Sequence, residues 1–232
     1  MRLDFYLSHA GFGTRKEVKE LIKKKVVFIN GQVVSSPSYH VQEYQDSVVV
    51  NEQEVHYQPF HYFLLNKPQG YISATEDTSS PTVLDLIHEP ISGLFPVGRL
   101  DKDTTGLMLI TNHGKLAHFL LSPKSHVEKE YRVQVDRPLK SDLIQLFQEG
   151  VILDSQERCL PATLKIIDSY QAFVVLHEGK YHQIKRMFEA FGYHVMQLER
   201  IRMGTLTLSN LEQGTYRSLT AEEILELLQF MR

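Results

Sequence analysis

The sequence predicts an α+β fold: a small N-terminal α/β module, then a larger domain in which a mostly antiparallel mixed sheet is flanked by helices. Strand-like runs outnumber helical ones and do not alternate regularly with them, which disfavours a doubly wound parallel sheet. An Asn-Gly hairpin signal and two capping boxes mark where individual elements turn or start. The composition, 42% hydrophobic and 23% charged over 232 residues, is that of an ordinary globular chain.

In the head, Thr14 and Glu17 form a capping box that satisfies orphan amides at the start of a helix running to about Lys25. Val18, Leu21 and Ile22 recur at helical spacing and leave Arg15, Lys16, Lys19 and Lys23 around the remaining surface. VVFINGQVV then reads as a hairpin, because Asn30 and Gly31 tolerate the positive φ angles of a tight turn. Val48 to Val50 supplies a third strand, and the mixed polarity of 51–59, ending in Pro59, reads as a linker. The expected division is therefore 1–58 and 59–232.

Beyond His61 the candidate strands are HYFLLN, LMLIT, YRVQV, ATLKII, AFVVL, HVMQL and TLTL. Candidate helices cover roughly Thr82 to Ile87, Lys115 to Leu121, Ser141 to Gln148, His182 to Phe191 and Ala221 to Met231. The last begins with a second capping box, Thr220 and Glu223.

Several functions are disfavoured at once. No apolar run approaches the roughly 20 residues that span a bilayer, and Asp4 interrupts any secretory signal. A single cysteine, Cys159, allows no internal disulfide and fits a reducing, cytoplasmic setting. The 11 histidines include no pair at i and i+4, so no metal is expected. Neither a P-loop nor a GxGxxG fingerprint is present, so no nucleotide cofactor is expected. The net charge of −3 hides an asymmetry: residues 1–25 carry Arg2, Arg15, Lys16, Lys19, Lys23, Lys24 and Lys25 against Asp4, Glu17 and Glu20. A basic head on an acidic body suggests local rather than general attraction for nucleic acid.

Three polar segments interrupt the apolar pattern: Lys67-Pro-Gln-Gly70, Gly98-Arg-Leu-Asp101 with Thr104, Thr105 and Gly106 after it, and Glu178 to Met187. From spacing alone the loop with Arg99, Asp101, Lys102 and Asp103 reads first as a solvated loop with a local Arg/Asp ion pair. Lys185 and Arg186 stand near the start of a helix, where cations oppose the macrodipole. They are either exposed basic residues or partners of an anion, Asp101 or a phosphate. Tyr131 lies on an alternating strand, where most tyrosines are packing residues.

Taken together these residues resemble a known family. RLDFYLSHAGFGTRKEVKELIKKKVVFINGQVV resembles the S4 RNA-binding domain, and KPQG, GRLDxxTTG and EGKYHQIKRM occur in the order found in RsuA-type pseudouridine synthases. The resemblance covers nearly the whole chain. It implies isomerisation of one uridine in small-subunit ribosomal RNA, without a cofactor, on that RNA or on a partly assembled small subunit, while the lack of a long amphipathic seam makes a monomer the expected state.

By the same resemblance Asp101 is the catalytic carboxylate, Tyr131 stacks on the target base, and Lys185 pairs with Asp101. Lys185 stands where Arg is commoner, which preserves the charge but loses the bidentate fork. Phosphate contacts are expected from Arg2, Arg15, Lys16, Lys19 and Lys23 in the head, and from Lys67, Arg99, Arg186, Arg200 and Arg202 around the cleft. Arg99 has a second expected role, filling the place vacated by the target base. The competing readings are a synthase acting on large-subunit ribosomal RNA, a noncatalytic S4-type assembly protein, and a nucleosidase that releases uracil.

Overall fold

The computed structural model describes residues 1–43, 45–55, 58–154 and 156–231. They form two compact units, one of Met1–His61 with Ile87–Leu94 and one of Tyr62–Leu86 with Phe95–Arg232. No helix among the described residues is long and apolar enough to cross a membrane.

In the first unit α1 (Leu3–His9) and α2 (Arg15–Lys23) precede β1 (Val27–Ile29), β2 (Gln32–Val33), β3 (Val48–Val50) and β4 (Gln53–Glu54), which form one sheet in the order β2-β1-β3-β4. The capping box is complete: Thr14 Oγ1 accepts from the Glu17 amide, and Glu17 Oε2 accepts from the Thr14 amide at 2.7 Å. Val18 and Ile22 turn from that helix into a core with Leu3, Leu7, Val27, Ile29 and Val50, while Arg15, Lys16, Lys19 and Lys23 stay exposed. Truncating one such buried aliphatic side chain to alanine costs about 2–5 kcal/mol, so the face is the main stabiliser of a helix this short. Asn30 and Gly31 take φ of 50° and 79° in the two-residue turn.

The expected linker at 51–59 is partly structured instead. Asn51 and Glu52, at φ 49° and 68°, make a second tight turn that returns the chain as β4. Glutamate seldom occupies that region, which is why the turn escapes a sequence reading. His56 and Tyr57, in the rest of the stretch, lie outside the described residues.

The second unit contains β5 (Tyr62–Lys67), β6 (Phe95–Pro96), β7 (Thr105–Thr111), α3 (Gly114–Leu121), β8 (Lys129–Val135), α4 (Leu143–Glu149), β9 (Thr163–Ile166), β10 (Gln171–Leu176), α5 (Gln183–Glu189), β11 (Val195–Met203), β12 (Leu206–Thr207), β13 (Tyr216–Ser218) and α6 (Ala221–Gln229). The main path of its sheet runs β13-β5-β7-β11-β8-β10-β9. Among the described strands of this sheet the β7–β11 pairing alone is parallel, so the sheet is mixed and mostly antiparallel. The expected helix at Thr82 to Ile87 is a single 3₁₀ turn, Val83–Leu86. It opens with the Asp85 carboxylate accepting the Thr82 amide at 2.7 Å.

Alternation along β8 puts Lys129, Tyr131, Val133 and Val135 on the buried face. Opposite Tyr131 on β11 stands Arg200, and opposite Val133 stands Leu198, so the two strands present one shared face. Packing elsewhere fixes the helices: Phe147 of α4 meets Phe188 of α5 with ring centroids 5.0 Å apart. Leu116, Ala117 and Leu120 of α3 join Leu64, Leu107, Leu109 and Leu227 in a second core.

Candidate active site

Asp101 sits in the loop between β6 and β7, and that loop is held from two sides. Ser73 Oγ donates to the Leu100 carbonyl at 2.7 Å and accepts from the Leu100 amide at 2.9 Å, clamping the residue beside Asp101 with a single hydroxyl. From beneath, Lys67 Nζ donates to the carbonyls of Thr104 (2.7 Å), Pro68 (3.1 Å) and Lys102 (3.5 Å). Lys67 is fully buried, and desolvation pushes its ammonium down to about 8 despite the attraction of Asp103 and Asp101. The KPQG lysine therefore braces the loop from inside rather than standing at the surface.

α5 brings the opposing charge. Lys185 Nζ lies 2.9 Å from Asp101 Oδ2 and 2.6 Å from Asp103 Oδ1. Burial alone favours the neutral forms, but the hydrogen bonds between Lys185 and the carboxylates outweigh it. They hold Asp103 below and Lys185 above their ordinary values. The two carboxylates also answer the dipole at the start of the helix, which a lone lysine would oppose. His182, just before α5, reaches Asp101 Oδ1 with Nε2 at 3.4 Å.

Behind Asp101 lies a cleft of about 770 Å³, lined by Arg99, Tyr131, Lys129, Tyr181, His182 and Arg200 among others. Tyr131 is only 9% exposed, yet its hydroxyl has no hydrogen-bond partner among the described residues. Lys129 and Arg200 are both buried on this wall, and neither forms an ion pair among the described residues. Lys129 donates to the Val127 carbonyl at 3.4 Å and Arg200 Nε to the Leu107 carbonyl at 2.7 Å, while Arg200 Nη2 has no partner among the described residues. Burial, reinforced by the charge of Arg200, pushes Lys129 down to about 8. This wall of the cleft is thus electropositive.

The other residues singled out in the sequence are dispersed. Arg200, expected among the phosphate contacts, is inside the fold. Arg202, two positions on, pairs with Glu128 and Glu130 at 2.8 Å each. A break in the β11 register between the two arginines sends them to different surroundings. Arg186 pairs with Asp154 at 2.7 Å. Of the five basic residues assigned to the cleft, Arg99 is the one exposed without an ion pair among the described residues. In the head Arg2 pairs with Asp4 at 2.9 Å and Lys23 with Glu20 at 2.8 Å, while Arg15 lies over the Phe5 ring at 5.5 Å. Lys16 and Lys19 are exposed beside it on the same helix.

Sequence reasoning passed over Ser73, Asp103, Lys129 and His182 as members of the site. Lys129 and Tyr131 are two apart on a strand, so their common face was a signal available in KEYRVQV.

Residues 61–190 match the RNA pseudouridylate synthase family, and residues 1–45 match the S4 domain. The ribosomal small subunit pseudouridine synthase A of Yersinia pestis is 42% identical over 227 residues, covering 97% of each chain. That of Escherichia coli K12 is 38% identical, covering 97% of this chain and 98% of its own. An RNA pseudouridine synthase of Bacillus subtilis, YtzG, is 42% identical over 231 residues, covering 97% of both. A crystal structure of a pseudouridylate synthase superposes with a TM-score of 0.70 at 36% identity, covering 98% of this chain and 99% of the other.

Proposed function

The chain belongs to the RNA pseudouridylate synthase family, and from that premise we propose that it isomerises one uridine of small-subunit ribosomal RNA to pseudouridine. The observation that carries the reading to particular residues is the 2.9 Å pairing of Lys185 with Asp101 at the mouth of a cleft that also holds Tyr131. The names and high coverage of the small-subunit relatives support the choice of RNA.

The reaction breaks N1–C1′, turns the uracil and joins C5 to C1′. N1 gains a proton and C5 loses one, so nothing is oxidised or added and no cofactor is called for. Uracil can depart as an anion spread over two carbonyls, so one ionised carboxylate suffices where glycosidases use two. Asp101, paired with Lys185, acts at the sugar, either attacking C1′ or removing a sugar proton. Tyr131 covers the base from β8, and its unbonded hydroxyl is available for the closing proton transfer at C5. To reach Asp101 the uridine leaves its stack, and exposed Arg99 at the rim fills the gap or meets a phosphate.

Phosphate attraction is then concentrated in Arg15, Lys16, Lys19 and Lys23 of α2 and in Arg99, while the acidic remainder discourages arbitrary RNA. A folded or partly assembled subunit is the expected substrate, and equal turnover of short unstructured oligonucleotides would refute that.

The deciding experiment is tritium release from RNA labelled at uridine C5, run on small-subunit and large-subunit ribosomal RNA with Asp101→Asn as control. Release from the small-subunit RNA that vanishes in the variant supports the proposal. Release from large-subunit RNA alone moves the substrate, free uracil as product makes the protein a nucleosidase, and silence on naked RNA and on assembling subunits leaves a binding protein.

A further inference from the structure

Tyr181 is the odd aromatic of the cleft. It is 77% exposed, the highest value among the described large hydrophobic residues at the surface, and it stands on the wall that also carries Asp101, Tyr131 and Arg99. Its ring lies on that of His182 with centroids 3.8 Å apart and planes 17° from parallel. One face of the phenol is therefore taken by imidazole, and exposure of this extent leaves the other face open.

The pair is held in place rather than loose. His182 has a left-handed φ of 48°, a conformation uncommon for residues other than glycine and concentrated at functional sites. Its Nε2 is anchored 3.4 Å from Asp101 Oδ1. The Tyr181 carbonyl accepts from Arg186 Nη1 at 3.3 Å, and Arg186 is itself tied to Asp154. The His182 ring beneath the phenol and the Tyr181 backbone are thus each held, which lowers the ordering cost of presenting the exposed ring to a ligand.

We propose that the Tyr181–His182 stack is a platform for an unpaired nucleobase of the RNA, one flanking the uridine that enters the cleft. This rests on the isomerase reading, and it assigns a separate subsite to that cleft. Single-stranded RNA is commonly gripped by stacking splayed bases on aromatic rings, which works for any base because every base has a π face. A target nucleotide drawn toward Asp101 leaves its neighbours without a stacking partner, and Tyr181 replaces the one lost. Because His182 contacts both the platform and Asp101, seating of the neighbour is registered next to the reacting carboxylate.

The chain contains no tryptophan, so Tyr181→Trp introduces a unique fluorophore at the platform. Its emission is followed during titration with small-subunit ribosomal RNA and, in parallel, with inorganic polyphosphate, a polyanion without bases. Saturation is tracked independently by the anisotropy of labelled RNA. The expected result is quenching in step with RNA binding and none with polyphosphate. Tyr181→Ala should weaken RNA binding by about tenfold, and Tyr181→Phe should restore affinity. Unquenched emission at saturation, or full affinity in the alanine variant, overturns the platform while leaving the isomerase reading intact. Failure of the unaltered protein to bind the RNA overturns both.

Discussion

Lys185 Nζ is 2.9 Å from Asp101 Oδ2, and the same ammonium bridges to Asp103 at 2.6 Å. Removing the cation leaves the half-buried Asp101 carboxylate and the exposed Asp103 carboxylate without their shared partner. Lys185→Met is therefore expected to lower kcat by about 100-fold or more, which corresponds to roughly 3 kcal/mol, with a smaller change in KM. Lys185→Arg should keep most of the activity. Steady-state tritium release on the three proteins checks it, and equal activity in the methionine variant would remove Lys185 from the mechanism.

Ser73 is a positioning residue, since it touches Leu100 and not Asp101. Ser73→Ala deletes both hydrogen bonds and leaves a buried amide and carbonyl unpaired, a cost of about 2 kcal/mol in urea unfolding. The loop bearing Asp101 then loses its clamp, and kcat should fall about tenfold. Ser73→Thr, which keeps the hydroxyl, should recover part of both, separating the hydrogen bonds from the bulk of the side chain.

Gly106 has φ +104° and runs parallel to Arg200 where β7 meets β11. A Cβ there would collide with the Arg200 carbonyl oxygen and lie 2.7 Å from its amide nitrogen. Gly106→Ala is expected to lower Tm by roughly 10 °C through backbone strain and a forced separation of the parallel pair. An unchanged Tm would show that the two strands move apart without loss.

Lys129 and Lys67 titrate near 8 when folded against 10.5 when free. Below pH 8 both states carry the proton, and burial of the charge opposes folding in full. Between pH 8 and about 10 the unfolded chain binds more protons, so stability rises with pH, by up to about 1.4 kcal/mol per pH unit for each lysine. Lys129→Met should flatten that rise by one lysine's share in urea unfolding at pH 8, 9 and 10. An identical slope in the variant would place the lysine's titration elsewhere.

What the sequence made legible was local. Both capping boxes formed as read, since Thr14 with Glu17 and Thr220 with Glu223 need only three intervening bonds' worth of helix to meet. The Asn30-Gly31 hairpin likewise depends on two residues. By contrast α1 was missed because Arg2 at its start offers no side-chain cap. The 3₁₀ turn at Val83–Leu86 was read as a fuller helix, its Asp85 cap being indistinguishable in sequence from that of an α-helix. In the site, the loop of Asp101 and the segment of Lys185 stood out as polar interruptions, but their closeness came from family resemblance and not from spacing. Ser73 and Lys67 act through carbonyls up to 37 residues away, which no local pattern encodes. Arg200 and Arg202, two apart and alike in sequence, differ only because a register break separates them.

The strand order carries a cost during synthesis. All six residues of β5 are buried, and one of its long sides is covered by β13, whose register aligns Tyr216 with Leu65 and Ser218 with Phe63. A nascent chain not yet extended to Tyr216 would hold β5 with a bare row of amides and carbonyls beside apolar side chains, the arrangement most prone to pair with a neighbouring molecule. Premature termination upstream of Tyr216 is thus more hazardous than its length suggests. It yields an aggregation-prone edge, so β13 doubles as the guard of the first strand of its unit.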